Sequence, residues 1–205
     1  MKVEKLKSPR INASTKRLVI RPYKATDFKV CQASHTNRHK PRNRFDQPIV
    51  TASISDLDKF KSRIKIQKEH AKKGYHYVFG VFLKRTGELV GQIDFFVLNK
   101  QMRWANFGYH IQNQYFRQGF GRECALKAIE IAMQQINFYR IEAAIEPENR
   151  KSIALARKLP LRFEGKRKNF FPDNGGIDMV VFATNQIDYN KELNLDASSF
   201  VYMGL

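Results

Sequence analysis

The sequence predicts an α/β (α+β) fold in which helices flank a mixed, mostly antiparallel central sheet. Three β-like runs joined by short turns lie in the middle of the chain, and a long amphipathic stretch follows them. Strands and helices then alternate to about residue 184. The resulting order, β-α-α-β-β-β-α-β-α-β-β, is typical of an α/β sandwich.

The first part of the chain predicts one strand and two helices. The run 17–22 is β-like and ends at a proline. A first helix begins near Thr26 and Asp27. Apolar residues at helical spacing predict a second helix over 53–73, which Gly74 ends. The residues expected to face inward are Phe28, Cys31 and Ala33, and then Ile54, Leu57, Phe60, Ile64 and Ile66.

The middle of the chain predicts an antiparallel meander. The range 75–83 is dense in aromatic and β-branched residues, and 89–98 and 102–111 return after short polar turns. We therefore expect these three strands to be neighbours in the sheet.

The second half of the chain predicts helices and strands in alternation. An apolar stripe favours a helix over 119–136. It is followed by a strand over 140–145, a helix over 152–159, and strands over 163–171 and 177–184 around a turn. With 205 residues the chain fits one domain, which we place at 15–185, between a basic N-terminal tail (1–14) and a C-terminal tail (186–205).

Positive charge is concentrated in two blocks. The chain has 37 Lys and Arg against 19 Asp and Glu, a net charge of +18. Residues 1–73 hold 20 basic and 6 acidic residues, and residues 150–168 hold 8 and one. These blocks favour a ribosome, RNA or acidic partner, although solvated helix faces would read the same way.

The cysteines and the hydropathy of the sequence predict the compartment in which the protein acts. Cys31 and Cys124 form neither a disulfide framework nor a C-x-x-C pair, so we expect a reducing, cytoplasmic environment and no metal. The N-terminus has no apolar signal region, and no run approaches the ~20 apolar residues of a membrane span. Neither secretion nor membrane insertion is expected.

The segment 114–123, between a strand and a helix, carries the main functional signal. Gly119 and Gly121 free the backbone at the helix start, so that successive N–H groups can point at one spot. The helix dipole favours an anion there, and Arg117 and Arg122 add mobile positive charge. The segment is typical of a pyrophosphate cradle, but Gly-x-Gly alone is equally typical of a tight strand-to-helix turn.

Four stretches resemble the GNAT superfamily of N-acetyltransferases. Phe116-Arg117-Gln118-Gly119-Phe120-Gly121 resembles its motif A, Gln/Arg-x-x-Gly-x-Gly/Ala, with Phe116 replacing the first polar residue. The range 139–155 resembles its strand, Asn-x-x-Ser turn and helix. The ranges 17–22 and 107–111 resemble the RimJ/RimL branch, the N-terminal acetyltransferases of ribosomal proteins.

The resemblance implies acetyl-CoA as donor, an amine as acceptor, and two parallel strands that splay apart at the acetyl-CoA site. Pyrophosphate would bind the loop N–H groups, and the pantetheine arm would pair with the backbone of 109–112. The implied cofactor-binding residues are Tyr109, His110, Ile111, Gln112, Arg117, Gln118, Gly119, Phe120, Gly121, Arg122, Asn149 and Ser152.

The resemblance also implies an acid that protonates the leaving thiolate. Many members use a tyrosine at the position of Ala156, so Ser152 is the best substitute here. Ser152 would otherwise be a helix N-cap. Asn149 either contacts the cofactor or caps the turn.

The base is implied less directly. The branch often has Glu at the position of Asn106, which leaves Asp94, Glu142 and His110 as candidates. We select Asp94, because neighbouring apolar residues would desolvate it, although an exposed strand residue would give the same pattern.

Three functions fit these observations. The first is acetylation of a protein N-terminal α-amine. The second is acetylation of a small amine, which a charge of +18 disfavours if that amine is polycationic. The third is a catalytically degenerate protein of this fold that binds acetyl-CoA, RNA or the ribosome.

Overall fold

The computed structural model describes residues 6, 11–46, 56–172 and 176–192 of the chain. The strands are β1 (Ala13–Ser14), β2 (Leu18–Arg21), β3 (His76–Leu83), β4 (Leu89–Asn99), β5 (Trp104–Ile111), β6 (Arg140–Ile145), β7 (Arg162–Phe171) and β8 (Ile177–Asn185). The helices are α1 (Phe28–Thr36), α2 (Leu57–Lys72), α3 (Phe120–Glu130), α4 (Arg150–Ala156) and α5 (Gln186–Glu192).

All strands of the described part of the chain belong to one sheet, in the order β1-β2-β3-β4-β5-β6-β8-β7. Every neighbouring pair is antiparallel except β5 and β6. The predicted fold class and the predicted meander are therefore confirmed.

The parallel pair is short. β5 and β6 are in register only at Trp104–Arg140, Ala105–Ile141 and Asn106–Glu142. Because β5 continues to Ile111 and β6 to Ile145, the two strands part beyond these three pairs. We call the resulting opening the β5–β6 gap, and it is the splay that the resemblance implied.

The two faces of the sheet carry separate apolar clusters. The larger cluster contains Phe95, Ile93 and Phe107 of the sheet together with the inner side of α3. The smaller cluster joins Val78 of β3 to Cys31 of α1 and to α2. Since side chains alternate along a strand, α1 and α2 lie on one face of the sheet and α3 on the other.

Some predicted inward positions are wrong. Ile66 is 52% exposed, and Leu57 and Ala33 are also exposed. The helix packs through Phe60 and Ile64, which are one turn apart, and a residue two positions further on points to the opposite side. For the same reason Ser34 and not Ala33 is buried with Cys31 in α1. Ile54 and the predicted helix start at 53 lie outside the described residues.

The predicted helix over 119–136 has two parts. The α-helix ends at Glu130, and Ile131–Ile136 is a π-helix. Ile131, Ala132, Met133 and Ile136 of this π-helix are all buried. Asn137, with φ 71°, ends the segment.

Residues of both predicted tails contact the core. Ile11, Ala13 and Tyr189 are buried in the larger cluster. Part of the predicted turn at 172–176 and the range 193–205 lie outside the described residues. No helix in the described ranges is both long and apolar enough to cross a membrane.

Candidate active site

The loop before α3 is shaped by its glycines. Gly119 has φ 80° and is the N-cap residue of α3. A Cβ at Gly121 would lie 3.3 Å from Leu155 and 3.7 Å from Ile111, so glycine lets the start of α3 lie close to α4 and the end of β5. The first N–H groups of a helix have no partner within it, so this loop can offer hydrogen-bond donors to an anion.

Arg17 holds the loop before α3 in place through its side chain. The sequence did not suggest this role. Its guanidinium donates to the Gln118 carbonyl oxygen at 2.9 Å and to Glu123 Oε2 at 2.7 Å. The same group lies 4.4 Å from the centre of the Phe120 ring. Because 106 residues separate Arg17 from Glu123, no local pattern could have revealed the contact.

Glu123 anchors this arrangement. It accepts hydrogen bonds from the Thr15 hydroxyl and from the backbone and side chain of Arg17. Burial alone would raise the pKa of Glu123, but these bonds outweigh it and hold the pKa below its ordinary value. Glu123 is therefore ionised at neutral pH and keeps the loop tied to the start of β2.

The other predicted loop residues are exposed. Arg117 has φ 62° and projects from the loop, and Gln118 is exposed beside it. Arg122 is exposed, and its Nε is 3.4 Å from the Lys158 carbonyl oxygen, at the end of α4. Both arginines can reach an anion at the start of α3.

The backbone of β5 divides its hydrogen-bonding groups between two sides. Gln112 donates its N–H to the Val90 carbonyl oxygen. Since the direction of these groups alternates along an antiparallel strand, His110 also points toward β4, whereas Tyr109 and Ile111 point toward the β5–β6 gap. Of the range 109–112, two residues can thus pair with an extended ligand in the gap.

A pair of hydroxyl groups lies at the gap on the α3–α4 side. Tyr109 Oη is 3.0 Å from Ser152 Oγ and 3.2 Å from its carbonyl oxygen. Burial raises the pKa of Tyr109, an effect that the bond to Ser152 partly offsets. Asn149 Oδ1 accepts from the Ser152 N–H at 3.2 Å and caps α4. Ser152 is therefore not the N-cap, and its hydroxyl faces Tyr109.

Asp94 lies on the opposite face of the sheet. Its Oδ2 is 3.0 Å from His76 Nε2, and its Oδ1 would be 2.7 Å from a Cβ at Gly108, its partner in β5. Asn106 is on the same face two residue pairs further along, and its Oδ1 is buried with no hydrogen-bond partner in the described residues. Ser152 and Asp94 are not in contact, but both flank β5 where it parts from β6.

The two other base candidates have different surroundings. Glu142 is 1% exposed and accepts two bonds from Arg167, at 2.7 and 2.9 Å. Burial lowers the pKa of His110 to about 4, with a smaller contribution from Arg38. Glu142 is thus committed to an ion pair, and His110 is a weak base.

No group of three metal-ligating side chains suited to a metal ion occurs among the described residues. What the site offers is a glycine cradle at a helix start, a gap in the sheet, hydroxyl groups on one face and a carboxylate on the other.

A family model described as the acetyltransferase (GNAT) domain matches residues 17–162. The chain belongs to the GNAT acetyltransferase family. As a GNAT acetyltransferase it is an acyltransferase, and members of the family use acetyl-CoA.

Similar GNAT enzymes differ in the acceptors their names state. The uncharacterized N-acetyltransferase p20 of Bacillus licheniformis is 27% identical over 137 residues, 66% of this chain and 77% of that protein. The [ribosomal protein uS5]-alanine N-acetyltransferase of Escherichia coli is 26% identical over 171 residues, 82% and 86% of the two chains. The spermidine N(1)-acetyltransferase of the same species is 24% identical over 177 residues, 84% and 89%.

A solved structure supports the same assignment. A putative ribosomal-protein-serine acetyltransferase from Vibrio cholerae superposes with a TM-score of 0.68 at 25% identity, covering 86% of this chain and 98% of that one.

Proposed function

We propose that this GNAT enzyme acetylates the α-amine of a protein N-terminus. The observation that carries the proposal is the β5–β6 gap, with the Ser152 hydroxyl on one face and the Asp94 carboxylate on the other. An amine arriving from the α1–α2 side and a leaving group on the α3–α4 side would meet there.

The donor site of the proposal is the loop and the edge of β5. Bound acetyl-CoA would supply the reactive thioester. The N–H groups of 118–121 would bind its pyrophosphate, helped by Arg117 and Arg122, because a helix start favours an anion. The backbone of Tyr109 and Ile111 would pair with its extended amide arm. The glycine cradle fits this role, since a side chain at Gly121 would crowd Leu155.

The acid of the proposal is Ser152. Its hydroxyl would donate to the leaving sulfur, and Tyr109, 3.0 Å away, would orient it. Positioned donors of this kind act where negative charge develops in the transition state. Ala156 is buried and its side chain has no polar group, so we assign the role of the acid to Ser152.

The base of the proposal is Asp94. An N-terminal amine has a pKa of roughly 7.7–8.0, so much of it is neutral at cellular pH and a weak base suffices. Asn106 Oδ1, which lacks a partner among the described residues, would accept a hydrogen bond from the amine. A peptide N-terminus carries a single charge at this point, which suits a strongly basic enzyme better than a polyamine does.

Two broader predictions accompany this proposal. The basic blocks 1–73 and 150–168 would lie toward a ribosome, RNA or acidic partner. The enzyme would act in the cytoplasm, where nascent ribosomal proteins are available as acceptors.

An acceptor panel tests the proposal. Acetyl-CoA turnover is measured with peptides that begin with a free Ala or Ser, with the same peptides blocked at the N-terminus but containing Lys, and with spermidine. We expect turnover with the free peptides alone. Faster turnover with spermidine would overturn the choice of acceptor.

The donor site has its own test. Gly119→Asp should abolish the thermal stabilisation by acetyl-CoA, because its carboxylate would repel the pyrophosphate. Gly87→Asp is the matched control, since Gly87 has a similar φ of 74° with no atom near its Cβ position. Retained stabilisation in Gly119→Asp would contradict the placement of the pyrophosphate.

A further inference from the structure

We infer that His76 is a positioning residue for the acetyl transfer, holding Asp94 so that one carboxylate oxygen faces the acceptor amine. The inference rests on the proposed function. No sequence motif singled out His76, which is the first residue of β3.

The geometry fixes one oxygen of Asp94 and leaves the other available. His76 Nε2 lies 3.0 Å from Oδ2, while Oδ1 lies against the open side of Gly108. The sheet order β3-β4-β5 puts His76 on the side of Asp94 away from the β5–β6 gap. An N–H bond to Oδ2 therefore turns Oδ1 toward the gap.

The imidazole ring is itself held in place. It packs edge-on against Phe96 at 5.7 Å between ring centres, and its side chain is 30% exposed. It also lines a surface groove along α2, together with Arg63 and His70. His76 is thus fixed in orientation and still in contact with solvent.

The protons in this step balance. The amine nitrogen forms a bond to the acetyl carbon as the thioester C–S bond breaks. The proton of the amine passes to Asp94 Oδ1, and the sulfur receives one from the Ser152 hydroxyl. Solvent returns a proton to Ser152 and removes one from Asp94, so no oxidant or reductant is required.

Two substitutions test the orientation of Asp94. His76→Phe removes the donor and should lower kcat roughly 100-fold, as loss of an oriented base does, while the thermal shift with acetyl-CoA stays unchanged. His76→Gln retains an N–H near the Nε2 position, so kcat should largely recover. Recovery in His76→Gln would show that the N–H donor, and not the ring itself, positions Asp94.

His70→Gln is the matched control. His70 lies in the same groove, but its ring contacts Tyr75 and not Asp94. It should keep the wild-type kcat with a peptide beginning with a free Ala. Wild-type kcat in His76→Phe, or a kcat in His76→Gln as low as that of His76→Phe, would overturn the inference.

A spectroscopic measurement distinguishes failure of this inference from failure of the proposed function. Nitrogen-15 NMR of the His76 ring should show a proton on Nε2, with a signal that changes in Asp94→Asn. Absence of that bond would overturn the inference even in an active enzyme. Absence of wild-type turnover with every amine, despite an intact bond, would instead overturn the proposed function and this inference with it.

Discussion

Tyr109 and Ser152 form a pair of hydroxyl groups at the β5–β6 gap. The helix that follows the Asn149 cap has alanine where many GNAT enzymes have tyrosine. The structure brings a tyrosine from β5 to the same helix, with its hydroxyl 3.0 Å from Ser152 Oγ. A hydroxyl group thus stands at the gap, although it comes from another element.

In the proposal Tyr109 acts through the Ser152 hydroxyl, so substitutions at the two positions should lower kcat by different factors. Ser152→Ala should lower kcat roughly 100-fold, because it removes the proton donor. Tyr109→Phe should lower kcat only about tenfold, because it removes one orienting hydrogen bond. The double variant should be no slower than Ser152→Ala, since Tyr109 acts through that hydroxyl.

Steady-state kinetics at saturating acetyl-CoA measures this effect. Tyr189→Phe, which removes a hydroxyl from a buried tyrosine of α5, is the control and should leave kcat unchanged. Equal, additive losses from Ser152→Ala and Tyr109→Phe would contradict the proposed order of action.

Local sequence patterns predicted the candidate site residues whose signal is short-range. Gly119, Gly121 and Ser152 belong to motifs that span only a few residues, so their position at a helix start could be predicted. Arg17 and His76 could not, because their partners Glu123 and Asp94 come from other parts of the chain. Such contacts depend on sheet order, which a single sequence specifies only through its resemblance to known folds.

At the scale of elements, the link between the start of β2 and α3 holds the loop before α3 in place. Glu123 joins α3 to Thr15 and Arg17, and the depressed pKa of Glu123 reports the strength of that link. The stability it contributes is present above the ordinary glutamate pKa of about 4.3 and is lost as pH falls through the lower, folded-state pKa.

Glu123→Gln tests this link. The variant should be less stable than wild type at pH 7, and the difference should shrink as the pH falls below about 4, because wild type then loses the same interaction. Urea unfolding midpoints across pH 3–7 measure it. Glu88→Gln in the exposed β3–β4 turn is the control. A difference that stays constant with pH would contradict the assignment.

Strand positions could be predicted more closely than helix faces. The three strands of the meander begin and end within two residues of the predicted bounds. Period-two alternation and turn residues mark strands locally, whereas the inward side of α2 depends on which two residues meet the sheet. No local pattern in the sequence predicted the change to a π-helix at Ile131.

At the scale of the whole molecule, the basic block 150–168 is partly neutralised within the fold. Four of its eight cations have acidic partners among the described residues, which are Lys151–Asp46, Arg162–Asp188, Lys166–Asp178 and Arg167–Glu142. The net charge of the sequence therefore overstates the charge that this block offers to an external anion.

The cores on the two faces of the sheet each enclose one thiol. Burial raises the pKa of both Cys31 and Cys124 to about 12. Because the thiolate is the reactive form, the native enzyme should react with dithiobis-nitrobenzoate very slowly, and unfolding in urea should release two fast-reacting thiols. Rapid labelling of the native enzyme would show that a core opens readily.

The three-pair contact between β5 and β6 has a mechanical consequence. It divides the sheet into a part of five strands, β1 to β5, and a part of three strands, β6 to β8. The two parts share three residue pairs, against eight pairs between β4 and β5 and six between β6 and β8. An extended molecule lying in the gap would lengthen that edge by bonding to β5. The bound substrate would then make the sheet more rigid, and each release of product would return the enzyme to its most flexible state.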